Sequence, residues 1–145
     1  MAIGTIKGIA AIFDSPSEDI GFIEEIDRHA FDRVLAAKPD VRCMFNHDPN
    51  NLLGRTASGT VRLSVDSRGL QYVCDLPDTS TGREVKELVN RRDITGSSFG
   101  FICGRDQWDV RADGRLTRRI LEVADLFDAS PVTVPAYAAT EVATA

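Results

Sequence analysis

Alternation of apolar and polar residues at a period of two, punctuated by glycine-bearing turns, constrains this chain more than any other feature. Residues 3–13, 21–26, 41–46, 60–66, 70–76, 97–103, 107–111 and 116–127 each form an alternating or β-branched run of strand length. Ser67-Arg68-Gly69 separates two of these runs and Ala112-Asp113-Gly114 separates two others. Glycine supplies the positive φ that hairpin turns need, so neighbouring strands should fold back antiparallel. Two segments follow helical spacing instead. Residues 27–38 place Ala30, Phe31, Val34 and Leu35 on one face and stop before Pro39, which disfavours helix in the residue ahead of it. Residues 79–92 carry a stripe of Val85, Leu88 and Val89, a capping residue near the start and arginines near the last turn. A β-rich domain of α+β class is expected.

The length of 145 residues suits one domain spanning 1–145, enough to bury roughly 68–70% of its unfolded surface. Residues 136–145 are rich in small side chains and are expected to fray. The net charge of -5 is dispersed, with no basic stripe or aromatic platform, which argues against a nucleic-acid partner. No apolar run approaches the roughly 20 residues that cross a bilayer, and no charged segment precedes an apolar one at the start, so no membrane partner is expected. The 3 cysteines, Cys43, Cys74 and Cys103, are odd in number and far apart. That spacing argues against a disulfide framework or a zinc site and suits small buried hydrophobes. No metal or cofactor is expected.

Two segments carry chemistry. An apolar run ends on His47 in Asn46-His47-Asp48-Pro49, and a later one opens on Ser98 in Gly96-Ser97-Ser98-Phe99-Gly100. A hydroxyl and an imidazole are the minimum equipment for acyl transfer, because the imidazole takes the proton that makes a serine a poor nucleophile. Period-two alternation sends Ser97 and Ser98 to opposite faces, so one of them alone can meet His47. A plainer reading makes His47 a turn residue and Ser98 strand polarity. His29 reads as a solvated helix residue, Asp48 lacks the companions a metal site needs, and Arg55, Arg118 and Arg119 read first as surface charge.

The order of Ala11-Ile12-Phe13-Asp14-Ser15, Asn46-His47-Asp48-Pro49 with Leu53-Gly54-Arg55, Gly96-Ser97-Ser98-Phe99-Gly100-Phe101, and Ser130-Pro131-Val132-Thr133-Val134-Pro135-Ala136-Tyr137 closely resembles the phage prohead maturation proteases. That family of serine proteases is distantly similar to herpesvirus assemblin. The resemblance spans nearly the whole chain and implies a small, mostly antiparallel β-barrel with two or more peripheral helices. It also implies His47 as base and Ser98 as nucleophile. The family pattern carries Glu just ahead of Ser-Pro-Val, where this chain has Asp128 and Ala129. Asp128 takes the third position from its place in the motif, with Glu122 as the alternative. In a regular strand Glu122 and Asp128 share a face and Asp125 takes the other, and a bulge would break that parity.

The implied function is a serine endopeptidase that removes scaffolding segments from capsid proteins inside assembling proheads in the host bacterial cytoplasm, and that also cleaves itself. Its partners would be a major capsid protein precursor or scaffolding protein, and assemblin-like enzymes suggest self-association by analogy. The tail Ala139-Thr140-Glu141-Val142-Ala143-Thr144-Ala145 is compatible with an autocleavage end. Two other classes compete: a non-catalytic scaffolding or capsid-assembly protein of the same fold, and a cellular binding module.

Overall fold

The computed structural model describes residues 2–145. Strands β1 (Ala2–Ile12), β5 (Val61–Val65), β6 (Gly69–Pro77) and β9 (Glu141–Thr144) form one antiparallel sheet in the order β5-β6-β1-β9. The second sheet is organised by a long hairpin, β7 (Gly96–Val110) with β8 (Leu116–Val132). Along the other edge of β8 lie β2 (Ile23–Ile26) and β3 (Arg42–Met44), and β4 (Leu52–Arg55) adds to β3. These ladders remain two open sheets, so no ring of strands closes among the described residues in place of the expected barrel.

The α+β class stands, with two helices, but two expectations about pairing change. β2 and β3 run parallel to β8, a long-range arrangement that no local turn specifies. Residues 136–145 contribute β9 rather than a frayed tail: Val142 is buried, and its N–H reaches the Thr95 carbonyl at 3.0 Å. The runs at 97–103 and 107–111 are one strand, its middle marked by register shifts against β8.

Both hairpins form, for different reasons. Gly114 has φ of 85° in the β7–β8 turn, whereas Gly69 needs no positive φ. A side chain at Gly69 would instead run into the Ala11 carbonyl oxygen, 1.8 Å from an ideal Cβ.

The core fills the space between the sheets with Ile6, Phe31, Leu70, Tyr72, Ile120 and Leu126, all essentially solvent-free. Helix α2 (Ser80–Asn90) lays Val85 and Val89 into this core, and Thr79 caps it by accepting the Gly82 N–H at 3.1 Å. Helix α1 is shorter than its pattern, Asp32–Ala36. The Ala30 carbonyl receives the Val123 N–H of β8 at 2.9 Å, so it is spent on the sheet rather than on a helical turn. Lys38, at φ of 51°, ends the helix.

The tail strand yields a direct expectation. In hydrogen exchange, the Val142 and Ala145 amides, bonded to Thr95 and Thr5, should exchange orders of magnitude more slowly than those of the Arg111–Arg115 turn tip, such as Ala112. Equal, rapid exchange would show that β9 does not dock.

Candidate active site

His47 is displayed by an unusual piece of backbone. β3 ends at Met44, and the chain enters a 3-10 turn over Phe45–His47 in which Asn46 and His47 have φ of 56° and 58°. Two consecutive non-glycine residues in the left-handed region cost on the order of 1–3 kcal/mol each and persist only where surroundings impose them. Asn46 is held by Thr133, whose N–H donates to Asn46 Oδ1 at 2.8 Å while Asn46 Nδ2 donates to Thr133 Oγ1 at 3.1 Å. Asp48 then caps the next 3-10 turn, Pro49–Asn51, by accepting the Asn50 N–H at 2.9 Å. Together these contacts turn the expected strand at 41–46 outward and leave the His47 side chain 36% exposed.

Asp128 meets that ring. It is buried on β8, and its Oδ1 makes a close hydrogen bond to His47 Nδ1. With a carboxylate as acceptor, the ring proton sits on Nδ1 and the Nε2 lone pair faces away, available as a base. Ser130 Oγ donates to the same Asp128 oxygen at 3.0 Å. Gly100 lies opposite Asp128 in the ladder, and a Cβ there would come within 2.5 Å of Asp128 Oδ2. The carboxylate thus occupies the space that glycine leaves.

Ser98 belongs to the same face. From Gly96 to Gly100 the ladder is regular, pairing Ser98 with Ser130 and Gly100 with Asp128. Directly opposed residues share a face with Cβ atoms about 4.5–5.5 Å apart, and diagonal neighbours lie about 7–8 Å apart. Ser98 and Asp128 are such a diagonal pair, at roughly the span an imidazole bridges when it bonds at both ends. Ser98 is half-buried, and its hydroxyl has no hydrogen-bond partner among the described residues. Ser97 points the other way. It is fully buried, sharing a hydrogen bond with Tyr72 at 2.8 Å and donating to the Glu141 carbonyl at 2.7 Å.

Glu122 does not join this group. It pairs with Arg33 at 3.1 Å and lies beside Arg105. The ladder shifts register between Gly100 and Phe101 and at three further steps through Asp106; Phe127 and Ala124 both drop out of the pairing, so Glu122 stays on the Asp128 side of the ladder, and what separates the two is distance along β8 and the Arg33 pairing. Asp125 is exposed. His29 is an exposed residue paired with Asp32 at 3.0 Å, and Arg55 is held by Asp40. Arg118 and Arg119 are more structural than their sequence suggests. Arg118 bridges Glu24 and Asp106, and Arg119 joins Asp14, Glu25 and Asp27, which ties β8 to β2 and the loops around it. No group of three His, Cys, Asp or Glu residues able to hold a metal occurs among the described residues.

The residues that sequence reasoning passed over are Asn46, Thr133, Gly100 and Ser130. A signal for Ser130 was present, because a hydroxyl two positions from Asp128 shares its strand face.

Asp128 raises the His47 pKa above its ordinary 6.5 through the hydrogen bond, against the opposing effect of burial and with a further charge attraction. A raised folded-state value stabilises the fold below the unfolded pKa, and this contribution is lost as pH climbs through the folded value. In Asp128→Asn the NMR titration midpoint of His47 should therefore fall, and the wild type should lose its excess stability over Asp128→Asn across that same neutral window. An unchanged midpoint would mean that the carboxylate does not govern the ring.

No curated protein matches the chain. The family description caudovirus prohead serine protease matches residues 1–145, the full length in hand. The serine, imidazole and carboxylate gathered around β7 and β8 therefore lie in a chain that belongs to the caudovirus prohead serine protease family.

Proposed function

We propose that this protein is a serine endopeptidase in which Ser98 is the nucleophile, His47 the general base and Asp128 the group that orients His47. The observation that carries the reading is the hydrogen bond from His47 Nδ1 to buried Asp128, with Ser98 on the same strand face. In the reaction, Ser98 Oγ attacks the scissile carbonyl carbon while its proton passes to His47 Nε2. The imidazolium that forms is stabilised by the Asp128 carboxylate. It then gives the proton to the leaving amine as the peptide bond breaks, leaving an acyl group on Ser98. Water repeats the sequence, with His47 again the base, and restores the free serine. Cys43 is not a rival nucleophile: burial pushes its thiol pKa well up, and it lies at 0% exposure.

The substrate is the scaffolding segment of a capsid protein precursor, cut inside the assembling prohead in the host cytoplasm, and the enzyme also cuts its own chain. Membership of a prohead protease family supports this choice. So does the exposure of His47. The surface clefts of about 370 Å³ beside Leu35 and Leu63 and about 480 Å³ beside Arg33 and Glu122 contain neither His47 nor Ser98. An imidazole exposed at the surface, outside these clefts, suits an extended peptide rather than a small molecule. Self-association would accompany assembly. A non-catalytic scaffolding role for the same fold would leave the Ser98 hydroxyl, on the strand face of the Asp128 that bonds His47, without a use.

A fluorophosphonate probe should label wild-type protein at Ser98 and fail to label His47→Ala. On co-expression with the matching capsid precursor, Ser98→Ala should fold normally yet leave the precursor at full length, since loss of one half-exposed hydroxyl costs little stability. Continued cleavage with Ser97 intact would end the assignment. Asp128→Asn should lower turnover by about 10²–10⁴-fold, as expected when a carboxylate that fixes an imidazole tautomer is lost. Glu122→Gln should retain wild-type turnover, and the reverse order of these two variants would move the third role to Glu122.

A further inference from the structure

Ser130 has no solvent exposure, and its hydroxyl is committed in both directions. The oxygen accepts the Met44 backbone N–H at 3.0 Å, and the hydroxyl hydrogen goes to Asp128 Oδ1 at 3.0 Å. The direction is forced, since an amide can only donate and the single hydroxyl hydrogen is then free for the carboxylate. Met44 is the last residue of β3 and the N-cap of the turn that presents His47. One buried hydroxyl therefore ties down both the start of the His47 turn and the carboxylate that His47 bonds.

A purely structural serine would need to satisfy only the Met44 amide. The second bond has a specific consequence. The outer torsion of an aspartate side chain is soft, so a carboxylate held by one donor can swing. His47 and Ser130 both donate to Oδ1, on a side chain already seated against Gly100, and two donors at one oxygen fix the torsion. We propose that Ser130 is a positioning residue for the hydrolytic reaction: it acts through Asp128 and the Met44 amide to hold His47 Nε2 toward Ser98. This inference rests on the reading above, in which His47 is the base and Asp128 its partner.

The test is a double-mutant cycle on the intact chain, read both as cleavage of the capsid precursor and as the rate of fluorophosphonate labelling at Ser98. Ser130→Ala should lower kcat and the labelling rate by about 10–100-fold, the usual scale for losing a group that orients an active residue, with KM nearly unchanged. Its acidic pH limb should move down, because a loosened Asp128 raises the His47 pKa less. A serine that merely packs would leave the pH profile in place. Ser130→Thr, which keeps the hydroxyl, should recover most of the rate. If Ser130 acts through Asp128, Ser130→Ala/Asp128→Asn should be no slower than Asp128→Asn alone.

Wild-type rate in Ser130→Ala, or a double variant slowed by the product of both single effects, overturns the proposal while leaving the triad intact. Wild-type rate in Asp128→Asn sinks the triad reading and this inference together. Should Ser130→Ala fail to fold, Ser130→Cys, close in size and a poor donor, carries the same comparison.

Discussion

A carboxylate with almost no access to water is costly unless its oxygens are bonded, and the layout of the second sheet follows from meeting that need at Asp128. β7 passes close enough to seat the carboxylate only because Gly100 has no side chain. β8 supplies Ser130 two residues on, and β3 delivers Met44 to the far side of that hydroxyl. His47 completes the set from outside. Removing one member exposes the others to a poorly satisfied neighbour, so the site and the junction of β3, β7 and β8 form one cooperative unit.

The strained turn is the other half of the arrangement. Asn46 and His47 could not both hold left-handed backbone in a free loop, where nothing would offset the cost. Thr133 grips Asn46 from just beyond the end of β8, and Asp128 grips His47 from within it. Both anchors thus come from one short stretch at the end of β8, Asp128 to Thr133, so motion of the turn relative to Asp128 is resisted at two consecutive residues. Preorganisation of this kind lets an imidazole move a proton without first searching for its geometry.

Much of the fold was legible because its signals are local. Alternation located the long strands, the caps and apolar stripe located α2, and Gly114 marked the hairpin tip. The parts that were not legible depend on distant partners. Parallel pairing of β2 and β3 to β8 has no turn to announce it, and β2 is tied to β8 by the ion pairs of Arg118 and Arg119, which look like ordinary surface charge in one dimension. The tail at 141–144 is polar and small-residued, yet it gains order from Thr95, Ser97 and the β1 edge. Within the site, His47 and Ser98 stood out by residue type and order. Asp128 could not be separated from Glu122, because strand parity allows both, and what decides is which of them the His47 turn packs against, a long-range contact that no local pattern announces.

The presence of aspartate, where the family resemblance leads one to expect glutamate, has an account in the bulges of β8. The register shift after Gly100 leaves Phe127 out of the ladder and 44% exposed, while Asp128 faces inward opposite Gly100. From there the short side chain already reaches His47 Nδ1 and receives Ser130. A longer acid on this backbone would have to fold back on itself to bring its oxygens to the same points, in a space whose far wall is the β7 backbone at Gly100. Side-chain length, bulge and glycine are therefore mutually dependent, and a change in one calls for compensation in the others. Such a constraint operates through packing distance and not through charge, so a carboxylate of the right sign but the wrong length would not meet His47 Nδ1 and the Ser130 hydroxyl at the same points.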